Sequence, residues 1–344
     1  MFRNITRWLA VVWFCVGCAL GCQVTPPPPP PLAVTPTPLP SSPTEVSAWH
    51  PGQFEIVLLD VKHGDAQLII SPTGETLLID AGEEAAAPSV AEKIRALLGK
   101  LEVDYFLASH YHIDHIGGFV PLVRDHGLVI RKGILDRGGG RNAYDTATYR
   151  RYYDHVTNAS RSVQRVRLLT GDKIDLGSST QVTVVAAGDS EAHTNCGITV
   201  NGGNDNDYSI ALWVTFGKFD YWTSGDLSGE DSTETTDAES ACARLASRPA
   251  DLYKANHHAI SWNNNANLLK VLQPQVALIS LDNLGKTDAL SRINKYARVY
   301  ATNKIIALDT DRKTPIIVND SDDLIVLSRD GNTFTIEGDQ YVAR

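Results

Sequence analysis

The stretch Ser109-His110-Tyr111-His112-Ile113-Asp114-His115-Ile116-Gly117-Gly118 follows directly on residues 105–108, an apolar run that reads as a buried strand. Three imidazoles and one carboxylate crowd six positions, in a chain where His fills only 10 of 344. A loop at the C-terminal end of a strand can turn successive side chains toward one point. Neutral imidazole and carboxylate are the N and O ligands that divalent zinc prefers. His110 and His112 can grip one ion, while Asp114 and His115 reach a second.

The flanking sequence supplies a sheet for this loop. Residues 54–60, 66–70 and 76–80 are short β-rich runs separated by Gly-Asp and Pro-Thr-Gly turn signals. Val90, Ile94, Leu97 and Leu98 recur at helical spacing and predict a helix over 88–101. The alternation resumes with strands expected at 182–186, 209–216, 219–223, 252–255 and 276–280, and helices at 238–246, 268–272 and 289–297. Two β-then-α halves are visible, and the class is α/β (α+β). A hydrophobic content of 43% with 21% charge is that of a globular chain. The body is expected to run over residues 48–344.

Lys and Arg number 31 against 40 Asp and Glu, a net charge of −9, which excludes a nucleic-acid coat; any polyanion site must be local. Five Cys are too few for a disulfide scaffold, and Cys15, Cys18 and Cys22 lie in the first 22 residues. Whether Cys196 and Cys242 pair is left open. Residues 1–22 place Arg3 and Arg7 before an apolar stretch shorter than the roughly 20 residues of a membrane-spanning helix, which is the pattern of an export signal. Its end, Ala19-Leu20-Gly21-Cys22, resembles the bacterial lipobox, and the resemblance makes Cys22 the lipidation site. Residues 23–47 are Pro-rich and read as a polyproline II spacer. The expected location is the bacterial cell envelope, with the membrane reached through an N-terminal lipid anchor and the body facing periplasm or exterior.

The pattern H-x-H-x-D-H after a strand resembles the metallo-β-lactamase superfamily, and the likeness covers most of residues 54–310. It implies an αββα sandwich of two mixed sheets flanked by helices, with a dinuclear site along one edge. It assigns Asp226, in Trp222-Thr223-Ser224-Gly225-Asp226, as the carboxylate bridging both ions. It assigns His257, in Asn256-His257-His258, as the last ligand, with His258 as the alternative. The metal set is then His110, His112, Asp114, His115, Asp226 and His257, holding two divalent ions, Zn with Mn as the alternative. Within the superfamily, Asp60-Val61-Lys62-His63-Gly64-Asp65-Ala66, Leu78-Ile79-Asp80-Ala81-Gly82, Asn206-Asp207-Tyr208-Ser209 and Asn256-His257-His258 are similar to ComEC/Rec2 proteins and phosphorylcholine esterases. Two departures stand out. Where many members carry a third His for the first metal, this chain has Asn206 and Asp207, with His193 upstream as a further candidate. Ala259 stands where the ComEC-like pattern has Gly. Asp80 and Asp65 divide between turn-forming residues and supports for a metal-bound imidazole.

Such a site implies hydrolysis by a metal-bridging hydroxide, oriented by Asp114 and Asp226, with His258 or His193 protonating the leaving group. No G-x-S-x-G elbow competes with it. Residues 124–167 hold ten basic residues against four acidic, a local charge of +6. Arg137, Arg141, Arg150 and Arg151, interleaved with Tyr144, Tyr149, Tyr152 and Tyr153, are read as binding a phosphate-bearing substrate, a nucleic acid or a phospho-headgroup. The competing reading is a solvated helix over 145–158 whose tyrosines pack on the sandwich. A lactone, thioester or β-lactam hydrolase is the alternative activity, and a non-catalytic surface binding module the alternative class. Protein partners and oligomeric state are not legible.

Overall fold

The computed structural model describes residues 48–158, 162–200, 204–229, 236–260, 262–280, 288–302, 317–318 and 323–344. The export signal, Cys22 and the Pro-rich tract lie outside them. Among the described residues no helix is long and apolar enough to cross a membrane.

The first sheet is built from β1 (Phe54–Leu58), β2 (Gln67–Ile70), β3 (Thr76–Ile79), β4 (Glu102–Leu107), β5 (Val129–Asp136) and β6 (Arg165–Arg167). The second takes β7 (Lys173–Asp175), β8 (Thr180–Ala186), β11 (Ala211–Phe216), β12 (Phe219–Thr223), β13 (Leu252–Lys254), β14 (Val276–Ile279), β15 (Arg298–Ala301) and β16 (Ile317–Val318), while β9 (Thr194–Asn195) and β10 (Ile198–Thr199) form a separate hairpin. The chain then returns to the first sheet as β17 (Leu324–Ser328), β18 (Thr333–Ile336) and β19 (Asp339–Val342), giving the order β19-β18-β17-β1-β2-β3-β4-β5-β6. Both sheets are mixed: β3, β4, β5 and β6 run parallel, as do β12 through β16, and the rest pair antiparallel.

Apolar strands buried on both faces, such as β1 and β14, require cover on both sides. Between the sheets lies one core, with Ile56, Leu58 and Leu77 from the first meeting Val214, Tyr221 and Leu252 from the second. Outside the first sheet, α1 (Ala87–Leu98) buries Val90, Ala91, Ile94 and Leu97, joined by α3 (Phe119–Arg124) and α4 (Ala147–Val156). Burying Ile94 or Leu97 contributes roughly 2 kcal/mol apiece. Helix α1 starts with Pro88 in its first turn and stops at Gly99, whose φ of 70° closes it left-handed. Outside the second sheet, α5 (Ala238–Ala243), α6 (Ala266–Leu272) and α7 (Asp288–Ile293) cover a third cluster. This is the αββα sandwich of two mixed sheets expected from the sequence. A Cys196–Cys242 disulfide ties the turn between β9 and β10 to α5.

Candidate metal centre

The site gathers at the C-terminal ends of parallel strands from both sheets. The end of β3 presents Asp80, β4 leads into His110 and His112, and α2 (Ile113–Ile116) carries Asp114 and His115. The end of β12 presents Asp226, and β13 leads into a 3-10 turn, Asn256–Ala259, with His257 and His258. The loop after β1 closes over α2 at Gly64, where a Cβ would stand 2.0 Å from the Asp114 carbonyl oxygen; only Gly fits there, and its φ of 103° suits it alone.

Asp226 is the centre of the arrangement. Its Oδ2 lies 3.1 Å from His115 Nε2, 3.6 Å from His258 Nε2, 3.8 Å from His257 Nε2 and 3.9 Å from His110 Nε2. Asp114 Oδ2 stands 3.3 Å from His258 Nε2 and 3.8 Å from His115 Nε2. His112 meets His110 edge to face, ring centres 4.8 Å apart. The ligand atoms of Asp114, His115, Asp226 and His258 all fall within 4.8 Å of one another. His115 is fixed from behind by Asp80, whose Oδ2 is 2.8 Å from Nδ1 while its two oxygens also accept from the Ser109 N–H and hydroxyl. That contact sets the ring so that Nε2 faces the cluster.

The electrostatics are those of a cation site. Burial pushes the His115 imidazolium down, but Asp226, Asp114 and Asp80 outweigh it and hold its pKa well above the ordinary value. Burial likewise opposes His258, and Asp226 with Asp65 raise it to about 9. Burial would raise Asp226, yet His115, His258 and His257 hold it well below the carboxylate range. Burial, with His115 adding to it, keeps the His110 ring neutral. Carboxylates and imidazoles here stabilise one another's charged forms, and the same cluster of carboxylates would draw in a divalent cation. His110 Nε2, His258 Nε2 and Asp226 Oδ1 are buried with no hydrogen-bond partner. Orphaned buried donors of these types, aimed at one another, fit divalent ions.

The tandem histidines both border the cluster, at different depths. His258, read as a proton donor and as the alternative ligand, has Nδ1 at the Ser280 carbonyl (3.1 Å) and Nε2 in the cluster. His257, read as the last ligand, is partly exposed, with Nδ1 against Asn263 Oδ1 (3.1 Å) and Asn206 (3.4 Å); it reaches Asp226 on the longer contact. Both rings point inward because His257, His258 and Ala259 take φ of 48°, 52° and 60° in succession. Each such non-Gly residue stores on the order of 1 kcal/mol, and strain of that kind collects at functional sites. His193 bonds the Tyr208 hydroxyl (2.8 Å) instead of the cluster.

Three contributors escaped the sequence reading. His63 is exposed, its Nδ1 3.7 Å from Asp114 and 3.3 Å from Glu83. Lys254, fully buried on β13, pairs with Asp65, which lies 3.5 Å from His258 Nδ1. Asp205 accepts the Tyr111 N–H at 2.6 Å. The motif stretches around His63 and Asp65 were visible as a pattern, but their convergence with β13 is a long-range property.

The four arginines read as substrate ligands are placed otherwise. Arg137 is buried, with its side chain 1% exposed, and pairs with Asp205. Exposed Arg141 forks onto Asp154 (2.7 and 2.9 Å), Arg150 pairs with Asp145, and Arg151 with Glu84 (2.7 Å). Tyr149 and Tyr152 are wholly buried against Tyr111 and Phe119. The helix-on-sandwich alternative agrees with the packing of Tyr149 and Tyr152 on α4, and Arg137 is enclosed with Asp205.

The profile of the metallo-beta-lactamase superfamily matches residues 60–281. Among solved structures, the chain is similar to a Cronobacter sakazakii metallo-beta-lactamase with a HARLDQ motif, at 18% identity over 58% of this chain and 76% of that one, TM-score 0.38. It is also similar to the metallo-beta-lactamase fold protein YhfI from Bacillus subtilis, at 14% identity over 74% and 99%, TM-score 0.45. A third is CmlA, a diiron beta-hydroxylase from Streptomyces venezuelae, at 14% identity over 65% and 44%, TM-score 0.41. No curated protein matches. The profile spans more than half of the residues, and the chain belongs to the metallo-beta-lactamase superfamily.

Proposed function

We propose that this protein is an exported, lipid-anchored, metal-dependent hydrolase of a phosphodiester with a small headgroup. The observation that carries the reading is Asp226, a buried carboxylate ringed by His110, His115, His257 and His258 with one oxygen orphaned. His110, His112 and His257 would hold one divalent ion, and Asp114, His115 and His258 the other, with Asp226 shared. A pair of such ions, Zn or Mn, supplies Lewis acidity and an acidified water. Asp114 and Asp226 orient the attack. His63, its Nδ1 3.3 Å from Glu83 and 3.7 Å from Asp114, stands at the edge of the cluster and would take the donor role first given to His258 or His193.

The headgroup preference follows from the charges at the site. Glu83 and Asp114 flank His63, and the arginines that would have received a polynucleotide are buried or paired. A phosphodiester with a compact, cationic headgroup suits that mouth better than a nucleic acid. Protein reconstituted with Zn or Mn is expected to cleave nitrophenyl phosphorylcholine, to lose the activity to a chelator and to regain it with metal. Turnover of nitrocefin or a lactone in its place would overturn the substrate reading. Two bound ions without any turnover would leave a binding module.

The anchor rests on Cys22. Acyl chains at that thiol supply membrane attachment, so Cys22→Ser should move the protein into the soluble fraction; unchanged attachment would point to the uncleaved apolar segment instead.

A further inference from the structure

Arg137 lies outside the ligand set, yet its contacts converge on the backbone that carries the ligands. The guanidinium pairs with Asp205 Oδ1, donates to Ser190 Oγ at 2.9 Å, and lies over the rings of Tyr111 and Tyr208 at 4.3 and 5.1 Å. Asp205 turns its other oxygen to the Tyr111 N–H. Tyr111 is the residue between His110 and His112, so that hydrogen bond fixes the peptide joining the two imidazoles. Asp205 also opens the 3-10 turn Asp205–Tyr208, which brings Asn206 Nδ2 within 3.4 Å of His257 Nδ1. The residues of the other half lean on different partners: His115 on Asp80, and His258 on Asp65, itself paired with buried Lys254.

We propose that Arg137 and Asp205 are positioning residues for His110, His112 and His257, and that they set the affinity of the protein for one of its two divalent ions while leaving the other largely unaffected. A buried ion pair is suited to this because both partners are held against solvent and the geometry of each is dictated by the other. The residue pair behind a ligand matters by orientation: loss of such support commonly weakens metal binding 10–100-fold. The inference rests on the dinuclear reading.

The test uses the full mature chain with Arg137→Lys and, as the gentler change, Asp205→Asn, which keeps a side-chain oxygen for the Tyr111 amide. Bound Zn is counted during titration with a chelator, the absorption spectrum of the Co-substituted protein is recorded, and thermal unfolding is followed alongside. The expected result is one equivalent released about 10–100-fold more readily, the other as in the unaltered protein, and loss of the spectral component of one site only. Asp65→Asn should weaken the opposite equivalent. Release of both equivalents together, or retention of both at the original affinity in a folded variant, would overturn the proposal. Should the unaltered protein hold fewer than two ions, the dinuclear reading itself fails, and the two failures are told apart by that control.

Discussion

Residues 109–118 and residues 124–167 both stand out in the sequence for their chemistry, and the fold treats them in opposite ways. The first begins where β4 ends, and three of its side chains, His110, Asp114 and His115, turn toward residues that follow β12 and β13, a hundred and more positions away. The second folds on itself: Arg141 meets Asp154, Arg150 meets Asp145, Arg165 meets Asp136, and Tyr149 and Tyr152 turn from α4 into the core beneath it. The difference lies in what each signal measures. Spacing after a strand end specifies direction, because a strand fixes where the following loop emerges. A charge count specifies no direction, and Arg131, Arg137, Arg141, Arg150, Arg151, Arg165 and Arg167 each pair with a carboxylate. Arg137 is the instructive exception, since it belongs to the second region by sequence and serves the first by contact.

The comparison breaks most easily at Asp226. If the convergence of the first region is what matters, Asp226→Ala should lower turnover by at least about three orders of magnitude, with bound metal falling in the same sample, because the carboxylate shared by His110, His115, His257 and His258 is gone. Asp189, an exposed partner of Arg167 in the neighbouring basic region, is the control. Asp189→Ala should change turnover by less than about twofold. Comparable losses in both would mean that proximity of carboxylates, and not their convergence, had been read from the chain.

Much of the fold is legible because its rules are local. Strands β1 to β4 and helix α1 stand within three residues of where alternation and helical spacing place them. The return of β17, β18 and β19 is not, since β17 pairs with β1 across some 270 positions and no local pattern announces a partner at that distance. Strand β5 escapes for another reason: Arg131 and Lys132 interrupt VIRKGILD, so it reads as charged although its second half is buried. At the site, His110, His112, Asp114, His115 and Asp226 could be proposed from motif and order. The deeper placement of His258 than of His257 could not, because it depends on three left-handed residues in a row, which side-chain identity does not encode outside glycine.

The smallest expected effect sharpens the comparison from the other side. Arg141, Arg150 and Arg151 each face an exposed carboxylate, and exposed pairs of this kind are worth about 0–1 kcal/mol. Replacing all three by Gln removes three positive charges yet touches none of the residues that surround Asp226. At physiological salt a surface charge is screened over about 8 Å, so little of its field reaches a site it does not border. The triple variant should therefore keep kcat/KM for nitrophenyl phosphorylcholine within about twofold at every salt concentration, and its unfolding free energy within about 1 kcal/mol. A polyanion-binding segment predicts something else: a raised KM for a charged phosphodiester polymer, a flatter dependence on salt, and no change with an uncharged ester. That triad of results would mean that the arginines release their carboxylates to take phosphate, and it would return the basic region to the substrate side of the molecule.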